Sequence, residues 1–178
     1  MEKIEKLKKI FKKEKIDGYI IPKNDEFFSE YVPKYNDRLN FISSFTGSYG
    51  FALVLKDKSY LFVDGRYTLQ ANNQSGRIFK IITIPDKMPS DILKGKKLSI
   101  GFDPNLFTER SLFIFFGKNN FKLKPISQNL IDIIWKRRIK KNNNEFYILP
   151  NEAISEKYRL KIGKISKYLK KKNSDFLF

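Results

Sequence analysis

The chain has 178 residues, of which 41% are hydrophobic and 15% aromatic, and a formal net charge of +17. That is enough apolar material for one real core and too much for a disordered chain, and no apolar run approaches the roughly 20 residues needed to cross a bilayer. Cysteine and histidine are both absent, which excludes a disulfide framework, thiolate metal sites and every catalytic scheme that depends on an imidazole.

In chain order, Ile4, Leu7, Ile10 and Phe11 share one face of an expected amphipathic helix, with Lys and Glu on the other faces. This basic start has no uninterrupted apolar core, so it does not read as a secretory signal. Ile16-Asp17-Gly18 is expected to end the helix, and Gly18–Ile21 reads as a short buried strand stopped by Pro22. Residues 23–37 are polar and turn-rich, an ordered loop with room for a short helix over Asp25–Tyr31. Tyr49–Leu55 and Ser59–Val63, joined by Lys56-Asp57-Lys58, read as an antiparallel hairpin. The first of these runs is almost wholly apolar, which places it at the centre of a sheet with both faces covered.

Asp64-Gly65 breaks the second strand, and Tyr67–Ala71 starts a helix for which Asp64 is positioned as an N-cap. Further strands are expected at Ile78–Ile84, Leu98–Phe102 and Lys122–Ile126. The expected helices in this part are Met88–Leu93, a Phe-rich one opened by Thr108 and running to Gly117, and Asn129–Trp135. The alternation predicts an α/β domain over residues 1–135 with a mixed sheet of about six strands flanked by helices. Residues 136–150, basic and Asn-rich at first, read as a linker. Beyond them Ile162, Ile165, Tyr168 and Leu169 repeat the spacing of the first helix at a constant offset. Asp175 falls opposite Asp17, and Leu177-Phe178 opposite Tyr19-Ile20. Residues 151–178 therefore read as the opening helix and strand of an internal repeat.

The segment from Arg38 to Asn72 carries the most specific pattern. Arg38, Phe41, Ser43, Phe45, Gly47, Ser48 and Gly50 precede the apolar strand, and Asp64-Gly65-Arg66-Tyr67 with Gln70-Ala71 follows the hairpin. With SEYVP at Ser29–Pro33 and the GFDP and PISQNLIDIIW pieces between Gly101 and Trp135, this order resembles the amino-terminal domain of the Xaa-Pro aminopeptidases (aminopeptidase P) of the creatinase/prolidase group. Two positions depart from the pattern: Ser44 stands where glycine is frequent, and Tyr49 where a small residue is usual. The resemblance implies an RNase-H-like α/β fold. It also implies a second, truncated related domain from about residue 151. The full enzyme is then expected to be a cytoplasmic homodimer that removes the amino-terminal residue before proline from peptides.

By the same resemblance, two Mn²⁺ ions belong to a carboxy-terminal catalytic domain that would follow residue 178. This chain is expected to hold no metal ligand and no catalytic residue, and to be inactive alone. Its role would be dimerisation and control of substrate access. Arg66 would reach toward substrate in a complete enzyme; the plainer alternative is a corner arginine that pairs with Asp64 or caps a carbonyl. Arg38, Phe45, Gly47, Ser48, Gly50, Asp64, Gly65 and Tyr67 are expected to act structurally. Gly47, Ser48 and Gly50 lack the lysine and following helix of a phosphate cradle, so they read as a backbone turn. Trp135 is expected to be a core anchor beside the domain junction.

The surplus of positive charge has two readings. A nucleic-acid or anionic-surface module is one. The other is an ordinary solvated surface, favoured because lysine greatly outnumbers arginine and is spread from end to end. A stand-alone basic binding module and a non-functional gene remnant are the alternatives to the aminopeptidase reading.

Overall fold

The computed structural model describes residues 1–117, 121–138 and 145–176. It divides into two compact units, Met1–Lys140 and Lys141–Phe178. The first unit is organised by a six-stranded sheet: β1 (Gly18–Pro22), β2 (Gly50–Leu55), β3 (Ser59–Asp64), β4 (Lys80–Ile84), β5 (Ser99–Phe102) and β6 (Lys122–Pro125). The order across the sheet is β4-β3-β2-β1-β5-β6. The inner strands β1, β2 and β3 are antiparallel neighbours, while β4 joins β3, β5 joins β1 and β6 joins β5 in parallel. This is the expected mixed α/β sheet, with β2 near its centre.

Strand β2 explains why its sequence is a continuous apolar run. All six of its residues are buried, and they alternate between two cores. Ala52 and Val54 join Tyr19, Ile21, Leu61 and Val63 on one face. Phe51, Leu53 and Leu55 join Ile20, Phe62 and Ile100 on the other. With side chains alternating at a period of two, only a strand covered on both sides can place every residue in apolar surroundings.

The first face is covered by α1 (Glu2–Glu14), α2 (Arg38–Ser43), α3 (Thr68–Ser75) and α6 (Leu130–Ile134). Helix α1 inserts Ile4, Leu7 and Phe11, and burial of such side chains is worth about 1.5–3 kcal/mol each. Lys15 ends α1 in the left-handed region, with the Ile16 N–H returning to the Phe11 carbonyl. Asp17 then accepts hydrogen bonds from Ser99 N (2.9 Å) and Lys56 Nζ (2.6 Å). It thereby stitches the start of β1 to β5 and to the hairpin connection. The second face is covered by α4 (Pro89–Leu93) and α5 (Glu109–Phe116). The expected cap of α5 is present: Thr108 Oγ1 accepts from Ser111 N at 3.1 Å, and Ser111 Oγ accepts from Thr108 N at 2.9 Å.

The loop expected over 23–37 is present, but two local details differ from the sequence reading. Asp25–Tyr31 is not a helix. Asp25 is buried, and its Oδ1 accepts from the N–H groups of Phe27 (3.1 Å) and Ser29 (3.0 Å), while Phe28 sits at φ 53°. A side chain that ties its own following backbone offers an alternative to helical bonding. The helix in this region is α2, which no periodic run announced. It is capped by Asp37, whose carboxylate accepts from Asn40 N, and ended by Ser44 at φ 66°.

In the second unit, α7 spans Tyr158–Lys172, with Ile162, Ile165 and Tyr168 exposed. Asn173 closes it in the left-handed region. The strand expected at Leu177-Phe178 lies outside the described residues, as does the middle of the expected linker, 139–144.

Candidate functional site

The motif residues gather mainly at one end of the sheet, where β2 begins and β1, β3 and β4 end. The cause is local. After α2, the chain must turn sharply to enter β2. A Cβ at Gly47 would run into the Phe45 ring, and one at Gly50 would lie 2.8 Å from the Phe62 carbonyl oxygen. Loop 44–49 is held against α3 by a polar knot. Thr46 N donates to Gln74 Oε1 (2.9 Å), and the amides of Gln70 and Gln74 both reach Thr46 Oγ1 (2.8 and 2.9 Å). Ser48 Oγ meets Tyr67 OH at 2.7 Å, and Tyr67 packs edge-on to Phe45.

The Asp64 corner forms as its sequence suggests. Its carboxylate accepts from Arg66 N (2.9 Å), capping a 3-10 turn over Gly65–Tyr67 that leads into α3. The same Oδ1 accepts from Arg66 Nε at 2.9 Å, and Oδ2 from Nη2 at 3.3 Å. Arg66 remains 77% exposed. The Arg66 side-chain and backbone donors hold the Asp64 carboxyl below its usual pKa, and Asp64 raises that of the guanidinium in return. The corner therefore presents an ion pair to solvent, with donors on Arg66 still open to a further acceptor.

Arg38 lies in a different setting. Only 3% of its side chain is exposed; Nε and Nη2 each reach a different oxygen of Asp132 at 2.9 Å, and Nη2 also reaches Glu26. Burial opposes its charge, but the hydrogen bonds and charges of Asp132 and Glu26 outweigh that and raise its pKa. Arg138 joins the cluster through Asp132 at 2.6 Å. Lys23 pairs with Asp37, the residue that precedes Arg38 in the chain. The cluster thus ties loop 23–37, α2 and α6 together through Arg38, Asp132 and Glu26. Trp135 is half-buried and stacks on Phe41 at 4.6 Å between ring centres.

Sequence reading picked out Tyr49 and the segment holding Tyr31 but gave no site role to the aromatic side chains around this end. Phe27, Phe28, Tyr31 and Tyr49 are all exposed. A depression lined by Lys23, Ser29, Glu30, Tyr31, Ser48 and Tyr49 brings the SEYVP segment against the Gly-Ser turn. The signal was the Phe27-Phe28 pair in an otherwise polar segment with no apolar periodicity to bury it. Sequence spacing also gave no hint of Glu26 and Asp132 as partners of Arg38. Among the described residues no cluster of three or more acidic side chains is placed to hold a metal ion, and no helix is long and apolar enough to cross a membrane.

Comparison with known proteins matches residues 3–131 to the Creatinase/Prolidase N-terminal domain. A probable Xaa-Pro aminopeptidase P from Blastomyces gilchristii is 33% identical over 97% of this chain and 30% of its own length. One from Coprinopsis cinerea is 32% identical over 93% of this chain and 28% of its own. Among solved structures, the X-prolyl aminopeptidase of Caenorhabditis elegans, described as a cytosolic enzyme with a di-nuclear active site, superposes with a TM-score of 0.76. It is 28% identical and matches 98% of this chain and 31% of its own. The N-terminal domain of the peptidase PepQ from Mycobacterium tuberculosis shares the fold at 21% identity, with a TM-score of 0.59 over 74% of this chain and 97% of its own. The chain thus spans about 30% of the length of the aminopeptidases it matches.

Proposed function

Because the chain belongs to the creatinase/prolidase N-terminal domain family, we propose that it is the non-catalytic amino-terminal part of a metal-dependent Xaa-Pro aminopeptidase. The observation that carries this reading is the near-complete alignment of the chain with about 30% of the length of such enzymes, in sequence and in three dimensions, through a domain of the N-terminal type. In this reading the two Mn²⁺ ions and the hydrolytic residues belong to the rest of a complete enzyme. This part contributes to dimerisation and to the passage of proline-containing peptides. The description of the Caenorhabditis elegans relative as cytosolic supports a cytoplasmic location in this reading.

The end of the sheet bearing Arg66, Tyr31 and Tyr49 is the surface we assign to the substrate path. Arg66 is exposed and oriented by Asp64 without being consumed by it. A cation with open donors suits a peptide carbonyl or carboxylate. Residues 151–178 are read as the opening of a second related domain. The exposed apolar face of α7, with Ile162, Ile165 and Tyr168, supports this because such a stripe needs a covering layer.

The test is a chimera in which residues 1–178 replace the matched segment of the Caenorhabditis elegans enzyme. Restored Mn²⁺-dependent cleavage of an Xaa-Pro peptide, absent from residues 1–178 alone, supports the proposal. A folded chimera with no activity overturns it. Within an active chimera, Arg66→Ala is expected to lower kcat/KM by roughly tenfold or more, the scale of losing one charge-assisted hydrogen bond. Unchanged kinetics remove Arg66 from the substrate path.

A further inference from the structure

The first unit also carries a groove of about 910 Å³ between α1 and the end of α6. Its floor is apolar: Ile10 from α1, Phe41 from α2, and Ile133, Ile134 and Trp135 from α6 and its cap. These side chains flank the first core and are only partly buried by it. The five-residue α6 is too short to lay them all against the sheet.

The rim is cationic. Lys3, Lys6 and Lys9 recur every third position along α1, and Lys136 and Arg137 face them from the chain after α6. Glu2 is the one acidic residue of the lining, and Lys6 pairs with it at 2.5 Å. Lys3 is used within the protein: its Nζ donates to the Phe41 carbonyl at 2.7 Å and lies 4.4 Å from the centre of that ring. Lys9, Lys136 and Arg137 therefore bring charge that the acidic lining does not balance.

We propose that this groove docks an acidic amphipathic helix of a partner protein. An apolar floor takes aliphatic or aromatic anchors at helical spacing. The rim takes carboxylates on the flanks of the same helix. Helix α1, at 13 residues, offers a wall of about 20 Å, comparable with four turns of a docked helix. Three other occupants fit less well. Single-stranded nucleic acid binds by stacking bases on open aromatic faces, whereas Phe41 and Trp135 stack on each other, with Lys3 and Arg138 over their rings. A second copy of this chain would bring a further net +17 to a cationic rim. An anionic membrane calls for apolar side chains that project outward, and these line a groove.

The experiment uses the intrinsic fluorescence of Trp135, the single tryptophan of the chain, which lies in the floor. The probe is a designed helical peptide of about 18 residues, with Leu or Phe at i, i+3, i+4 and i+7 and Glu elsewhere. It is expected to shift the Trp135 emission in a saturable way. A peptide with Lys in place of Glu, and one with Ser in place of the apolar residues, are expected to bind at least tenfold more weakly. The double variant Lys9→Glu with Lys136→Glu, both exposed positions, should lose tenfold or more in affinity for the probe while its circular dichroism is unchanged. Three results each overturn the proposal: no shift with the acidic amphipathic peptide, equal binding of the Ser-substituted peptide or of a DNA oligonucleotide of the same charge, or undiminished affinity in the double variant.

Discussion

Arg38 and Arg66 belong to one sequence pattern, yet the fold gives them opposite surroundings. Arg38 is 3% exposed and shared between two carboxylates from distant parts of the chain, Glu26 and Asp132. Arg66 is 77% exposed and held by a carboxylate two residues away. The first needs tertiary structure for its partners and binds three segments together in return. The second is oriented by its own turn and leaves its outer donors to solvent. A motif arginine can thus be a fastener or a presented group, and its neighbours in space decide which.

The contrast can be broken most sharply at Arg38. Arg38→Ala leaves Asp132 and Glu26 facing a cavity where their cation stood. Removing one partner of a buried pair costs about 3–5 kcal/mol; because both acids are about one-third exposed, about 3 kcal/mol is the expected loss in urea unfolding. A loss under about 1 kcal/mol would make Arg38 a surface residue in energetic terms. Asp132→Asn should cost less, about 2 kcal/mol, since Glu26 still holds the Arg38 guanidinium and the Asn oxygen can still accept, while the negative charge facing Arg38 and Arg138 is lost.

Smaller effects test the other side. Tyr67→Phe removes only the 2.7 Å bond to Ser48, and chemical denaturation should register about 0.5–1.5 kcal/mol. Arg66→Ala should leave stability within about 0.5 kcal/mol of the parent, so any loss of chimera activity reports on substrate rather than folding. The smallest effect is in titration. Arg66 lowers the Asp64 pKa, and a carboxylate so lowered adds stability above its unfolded value of about 3.9 and loses it as pH falls through the folded value. An NMR titration of the Asp64 carboxyl should therefore move upward in Arg66→Ala; an unmoved midpoint would mean the pair does not persist in solution.

Much of this was legible beforehand. All six strands were expected within one or two residues of where they lie, because β2 and β3 carry the unbroken apolar runs of doubly covered strands and the others end at Pro, Asp or Gly. The Asp64–Arg66 corner was legible as well, since its bonds join residues two apart. The loop over 23–37 is legible, but the short helix for which 25–31 has room does not form, because the buried Asp25 carboxylate captures N–H groups that a helix would have used. Helix α2 went unread because six residues show too little periodicity, and its only signals were the cap Asp37 and the Leu39/Ile42 spacing.

The first helix and α7 mark the boundary between the two kinds of knowledge. By itself, the sequence specified an amphipathic helix in each case, because apolar spacing and capping act over a few residues. It also specified the Asp64 corner and the alternation of β2, for the same local reason. Only the tertiary structure decided that Ile4, Leu7 and Phe11 would be buried, whereas Ile162, Ile165 and Tyr168 have no covering layer among the described residues, and that Arg38 would meet Asp132 across the fold. Burial and ion pairing depend on what lies opposite a side chain, and that is fixed by segments far away along the chain.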